Sequence, residues 1–128
     1  MKNTIKIAIY LDHFTAIVYE ANEDSTSILK TISSKMNHFV KEEILQKGES
    51  HWHNKEQDLQ LAFYNKIIDE VEDCDELFLF GPTNAKTELL HLLQKQAKFD
   101  TLKISTKDID KTTENQKIEL VKATFNRR

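Results

Sequence analysis

The most constraining feature of this chain is a run of four large apolar side chains, Leu77-Phe78-Leu79-Phe80, closed by Gly81-Pro82. A strand with one face in water alternates apolar and polar residues. This run does not alternate, so it reads as a short strand that needs cover on both faces. The flanking segments supply that cover. Leu59, Phe63, Ile67 and Val71 recur every fourth residue, with Ala62 and Ile68 beside them, which predicts an amphipathic helix over about Lys55 to Glu72. Ala85, Leu89, Leu92, Leu93 and Gln96 mark a second helix that opens near Thr83. A buried strand between two helices implies a layered α/β domain.

The N-terminal third has a different period. Ile5, Ile7, Ile9 and Leu11 alternate with Lys6, Ala8 and Tyr10, a strand signal. Asp12-His13 then reads as a tight turn, Phe14 to Tyr19 as a returning strand, Asn22 to Ser25 as another turn, and Ser27 to Ile32 as a third strand. Toward the C-terminus, Leu102 and Ile104 give a last strand. Thr113-Glu114-Asn115-Gln116 is a capping-box pattern before a helix carrying Ile118, Val121 and Phe125. The order is β-β-β-α-β-α-β-α. It predicts a mixed five-stranded sheet with helices on its faces, an antiparallel meander extended by parallel, helix-connected strands. This is the order of a ribonuclease H-like fold.

The 128 residues suit one domain, which at this size buries about two-thirds of its unfolded-chain surface. One stretch, 33–54, breaks periodicity. It holds Gly48, three of the five histidines and few apolar residues, and reads as a long mobile loop with a short helix possible over Phe39 to Leu45.

Three segments carry a family resemblance: Tyr10-Leu11-Asp12-His13, the run from Leu79-Phe80-Gly81-Pro82 through Lys86 to Leu89, and Lys111-Thr112-Thr113-Glu114-Asn115-Gln116. In this order and spacing they resemble the middle domain of the Pelota and class-I release-factor family, as found in small bacterial single-domain relatives. The resemblance spans nearly the whole chain. It implies a release-factor middle-domain-like fold, a cytoplasmic place in translation termination or ribosome rescue, and the ribosome or tRNA as partner. In release factors the loop after the meander carries Gly-Gly-Gln. The matching stretch here has only Gly48, flanked by Lys47 and Glu49. Pelota, which also lacks the motif, resembles the chain more closely at this point. The resemblance thus implies binding without peptidyl-tRNA hydrolysis. The family's flanking domains are also missing from this sequence.

Candidate contact residues fall in three groups. Gly81, Pro82, Thr83 and Lys86 place a helix N-terminus at the carboxyl end of a strand, a setting for an anion with Lys86 assisting. Turn chemistry with an exposed lysine accounts for the same residues. The segment is not a Walker A loop, because the second glycine is absent and the spacing is one short. Lys35, His38, Lys41, Lys47, His51, Trp52 and His53 give the long loop cations and an aromatic ring for RNA. His51 and His53 lie two apart, as two metal ligands on an extended segment can, but no third ligand has diagnostic spacing, so no metal is expected. Asp12 and His13 form the third group, with acid–base pairing set against a turn-stabilising aspartate and an exposed histidine.

The charge balance narrows the partners. A net charge of −3 argues against broad, charge-driven binding to duplex nucleic acid. The distribution is uneven. From Glu56 to Glu76, eight acidic residues face one lysine, whereas from Ala85 to Arg128 ten basic residues face six acidic ones. The lone Cys74 rules out an internal disulfide and fits a reducing cytosol. No apolar run reaches the roughly 20 residues of a membrane span. The expected protein is soluble and cytoplasmic, needs no cofactor and has no catalytic residue. A two-metal nuclease is disfavoured, because the first strand and the end of Leu77–Phe80 lack the required carboxylates. The other reading carried forward is a protein-interaction or small-anion-sensing module with no ribosome role.

Overall fold

The computed structural model describes residues 4–22, 25–34 and 49–126, with the side chains of 49–55 and 126 left aside. Three strands come first: β1 (Lys6–Leu11), β2 (Thr15–Ala21) and β3 (Thr26–Ser33). Then follow α1 (Glu49–Glu70), β4 (Glu76–Gly81), α2 (Ala85–Gln94), a 3-10 turn (Ala97–Phe99), β5 (Lys103–Asp108) and α3 (Glu114–Asn126). The strands form one mixed sheet in the order β3-β2-β1-β4-β5. The meander β1–β2–β3 is antiparallel, while β4 joins β1 and β5 joins β4 in parallel. This is the expected fold class.

Strand alternation sorts the core into two layers. Ile7, Ile9 and Leu11 of β1, with Leu77 and Leu79 of β4, pack against Phe63, Ile67 and Val71 of α1 and Leu89 and Leu93 of α2. The opposite face sets Ala8, Tyr19, Phe78 and Phe80 against Val121 and Phe125 of α3. Phe78 stacks on Phe80 at 4.9 Å between ring centroids and meets Phe125 edge-on at 6.4 Å. The uniform apolar run of β4 therefore reflects helices on both sides. The middle position in the sheet belongs to β1, with β4 beside it.

Two local signals act as written in the sequence. Thr113 and Gln116 form a reciprocal capping box: the Gln116 amide donates to Thr113 Oγ1 at 3.2 Å, and the Thr113 amide donates to Gln116 Oε1 at 3.0 Å. The Asn22 amide donates to the Ser25 carbonyl at 2.8 Å, closing the second turn of the meander.

The start of α1 corrects the sequence reading. The helix begins at Glu49, so the last six residues of the expected loop, 49–54, are helical. In the sequence these six residues hold Trp52 as their one large apolar side chain, so they leave no apolar period to detect. They contain no glycine or proline to interrupt a helix, and Gly48 precedes them. His51, Trp52 and His53 therefore lie on helical backbone rather than in an extended loop. Lys35, His38, Lys41 and Lys47, and the possible helix over Phe39 to Leu45, lie outside the described residues.

Candidate functional site

The carboxyl ends of β1 and β4 lie side by side, and the chain leaves them in opposite directions: β1 turns back into β2, and β4 passes through α2 to β5. Ligands in open α/β sheets favour such a switch point. Two of the three candidate groups meet here.

Asp12 is a turn residue. Its Oδ1 accepts the amides of Phe14 and Thr15, each at 2.8 Å, which fixes the β1–β2 hairpin. It is not His13's partner. His13 Nε2 lies 3.5 Å from Glu88 Oε1 on α2, and Gln60 of α1 reaches the His13 carbonyl at 3.4 Å. Glu88 Oε1 also accepts the phenol of Tyr64 at 2.5 Å. Burial raises the Tyr64 pKa, and the hydrogen bond to Glu88 and its charge raise it further, so the phenol keeps its proton and donates. Glu88 thus ties α1, α2 and the β1–β2 turn together. The sequence reading missed Tyr64 and Glu88. The available signals were a tyrosine on the core stripe of α1 and an acid in the first turn of α2.

Gly81 sits where no side chain fits. A Cβ built on it would lie 2.1 Å from the Leu11 carbonyl oxygen, in the backbone of the adjoining strand. Its own carbonyl accepts the Ile109 amide at 3.1 Å, just beyond β5. Glycine here permits three parallel strand ends to converge.

Lys86 corrects the reading of it as an exposed lysine: it is 3% exposed, and its ammonium is held by groups of the fold. It donates to the Thr83 carbonyl at 2.6 Å and the Gly81 carbonyl at 3.2 Å, and pairs with Asp108 at the end of β5. An ammonium has three donors, and these partners use them all. Thr83 Oγ1 meanwhile accepts the Ala85 amide at 3.2 Å. Glu88 places negative charge in the first turn of α2. The Lys86 ammonium is thus held by carbonyls of the β4–α2 turn and by Asp108. Pro82 stands exposed at its tip.

Among the described residues, no group of three or more His, Cys, Asp or Glu is placed to hold a metal ion. Cys74 is partly buried, and burial followed by the charge of Asp75 pushes its thiol up to about 12, far from the thiolate that nucleophilic chemistry needs. What the switch point offers is a polar surface on which Asp12, Glu88 and Lys86 are paired within the fold.

Comparison with known proteins gives the fold a context. No protein-family model matches the chain, and no curated protein matches its sequence. Solved structures do match. Pelota of Archaeoglobus fulgidus aligns with a TM-score of 0.62 at 13% identity, over 94% of this chain and 31% of its own. The archaeal translation termination factor aRF1 gives 0.64 at 11% identity, over 97% and 35%. Dom34 of S. cerevisiae, a translation termination-like factor involved in RNA quality control pathways and interacting with Hbs1, gives 0.55 at 12%, over 94% and 36%. The chain spans about a third of the length of each. Likeness at this identity is likeness of fold, and the fold shared is that of about a third of Pelota, aRF1 and Dom34.

Proposed function

We propose that this domain is a non-catalytic, translation-associated module that binds the ribosome or tRNA in the cytoplasm, serving stalled-ribosome rescue or ribosome regulation. The observation that carries this reading is the match of nearly the whole chain to part of aRF1, Pelota and Dom34. The absence of Gly-Gly-Gln supports a binding role rather than a hydrolytic one. Ester hydrolysis needs a water set against the carbonyl and donors for the developing oxyanion, and Gly48 stands between Lys47 and Glu49 without a glycine partner or a following glutamine. Purified protein added to ribosomes carrying labelled peptidyl-tRNA should release no peptide. Release above the spontaneous rate would make the chain an enzyme.

One observation favours a protein partner instead. Between α1 and α2 lies an open groove of about 360 Å³ whose lining includes Leu61, Tyr64, Leu92, Gln57, His91 and Lys95. Leu61 is 47% exposed there, enough apolar surface for an anchor side chain. A pull-down from native lysate, repeated after nuclease treatment, separates the two readings. Partners that disappear with the RNA support the ribosome reading, and partners retained support the groove.

A further inference from the structure

The two faces of β5 carry different charges. Lys103, Ser105 and Lys107 stand in register with Glu76, Phe78 and Phe80 of β4, and Phe78 and Phe80 belong to the core under α3. These three β5 side chains therefore point to the α3 side of the sheet. The aspartate of the strand, Asp108, turns to the other face and pairs with buried Lys86. α3 packs chiefly over β1, β2 and β3 and meets Phe78 of β4, while Lys103, Ser105 and Lys107 of β5 are exposed.

The neighbouring row adds a further cation. Tyr10, Phe80 and Lys107 are aligned across β1, β4 and β5, and Lys117 of α3 holds its ammonium 4.0 Å from the centre of the Tyr10 ring. Among the strand residues of β1, β4 and β5 on this face, Glu76 is the one acid, and it lies in register between Lys6 and Lys103. Nearby carboxylates on α3 are engaged: Glu114 accepts the Tyr19 phenol, and Glu119 lies 3.9 Å from Lys122. The face is a local cationic patch on an acidic protein.

Spacing identifies what fits it. Alternate residues of a strand are about 6.6 Å apart, so Lys103, Ser105 and Lys107 form a line of donors with roughly the separation of successive phosphates on an extended nucleic-acid strand. Lys117 lies about two strand spacings, roughly 10 Å, to the side of Lys107, and stacking on Tyr10 limits its freedom.

We propose that the α3-side face of β5, with Lys103, Ser105 and Lys107 as its line and Lys117 at its rim, takes the phosphate backbone of single-stranded RNA. The proposal rests on the translation-associated reading for its choice of RNA. It places the binding surface apart from the β4–α2 turn and from the 33–54 stretch.

The test is fluorescence anisotropy of a labelled single-stranded RNA of mixed sequence titrated with the full chain across a salt series. Three proteins are compared: wild type, the triple variant Lys103→Gln/Lys107→Gln/Lys117→Gln, and a charge-matched control, Lys30→Gln/Lys66→Gln/Lys98→Gln. The β5 triple should weaken binding at least tenfold and lower the salt slope by about 2, because each phosphate left without its lysine takes roughly 0.7 from the slope. The control should change affinity less than threefold. Equal weakening in both triples, no RNA binding by wild type, or tighter binding to a duplex than to the single strand would each overturn the proposal. Ribosome sedimentation separates this result from the reading beneath it. If wild type and the β5 triple pellet equally, this surface is wrong while the ribosome reading stands. If wild type binds RNA through these lysines yet never pellets with ribosomes, the surface stands and the ribosome reading fails.

Discussion

Replacing Gly81 by alanine adds one methyl group at the most crowded point of the sheet. The new Cβ would meet the Leu11 carbonyl oxygen at 2.1 Å and its carbon at 3.2 Å. Both are backbone atoms of an interior strand, so no rotamer change relieves the clash. A carbon rests no closer than about 3.3 Å to a carbonyl oxygen, so β1 and β4 must separate by about 1 Å at this end. Overpacking of that kind costs about 1–3 kcal/mol. The separation also strains the two hydrogen bonds that the Gly81 carbonyl accepts, from the Ile109 amide and from Lys86 Nζ, at about 1 kcal/mol each. The expected loss is about 3–5 kcal/mol, a large share of the 5–15 kcal/mol typical of a domain. Urea unfolding followed by far-UV circular dichroism measures it. Pro82→Ala, at the exposed tip of the same turn, is the control and should change stability by less than about 1 kcal/mol. An unfolding midpoint for Gly81→Ala within the error of wild type would refute the close approach of β4 to β1 and the account of why glycine occupies this site.

Other expectations follow from the same packing. Lys86→Met keeps the buried stem but leaves the Gly81 and Thr83 carbonyls without their charged donor, and should cost about 2–3 kcal/mol in urea unfolding. Asp108→Asn removes the charge of a carboxylate that is 92% exposed and keeps an oxygen that can accept from Lys86, and should cost less than about 1 kcal/mol. Thr113→Ala deletes one half of the capping box on α3 and should cost about 1 kcal/mol, read by the same titration. Stability should fall as pH rises above about 9. The folded state holds the Cys74 thiol protonated to about 12 and also raises the Tyr19 and Tyr64 phenols, whereas the unfolded chain ionises all three at ordinary values and so binds fewer protons there. Urea midpoints between pH 7.5 and 10.5 measure this, and Cys74→Ala should flatten the first part of the decline.

The fold was legible where packing on two sides leaves a period in the sequence. The run Leu77–Phe80, the alternation of Ile7, Ile9 and Leu11, and the four-residue stripe of Phe63, Ile67 and Val71 each state how many faces must be covered. The Thr113–Gln116 cap was legible because its chemistry is local. The first turns of α1 were not, since a single large apolar residue, Trp52, among residues 49–54 makes no stripe. The site was legible only in outline. Gly81 and Asp12 were marked by residue type, because glycine and aspartate have few reasons to stand at strand ends. Lys86 misled the reading: a lysine in the first turn of a helix looks solvent-facing, and its burial depends on carbonyls from its own turn and an aspartate 22 positions later. The link from His13 through Glu88 to Tyr64 joins residues far apart in sequence and has no local signature. The charge sorting on β5 needed the register with β4, which composition does not contain.

Co-sedimentation of the purified full chain with purified ribosomes, at low and at high salt, tests the central claim most directly. A domain that binds ribosomal or transfer RNA through lysines should pellet with ribosomes at low salt and return to the supernatant as salt rises, because each lysine bound to a phosphate releases counterions. Protein that remains in the supernatant at low salt, over saturating amounts of both vacant and tRNA-bearing ribosomes, would contradict the claim and leave the likeness to aRF1 and Pelota as one of fold alone.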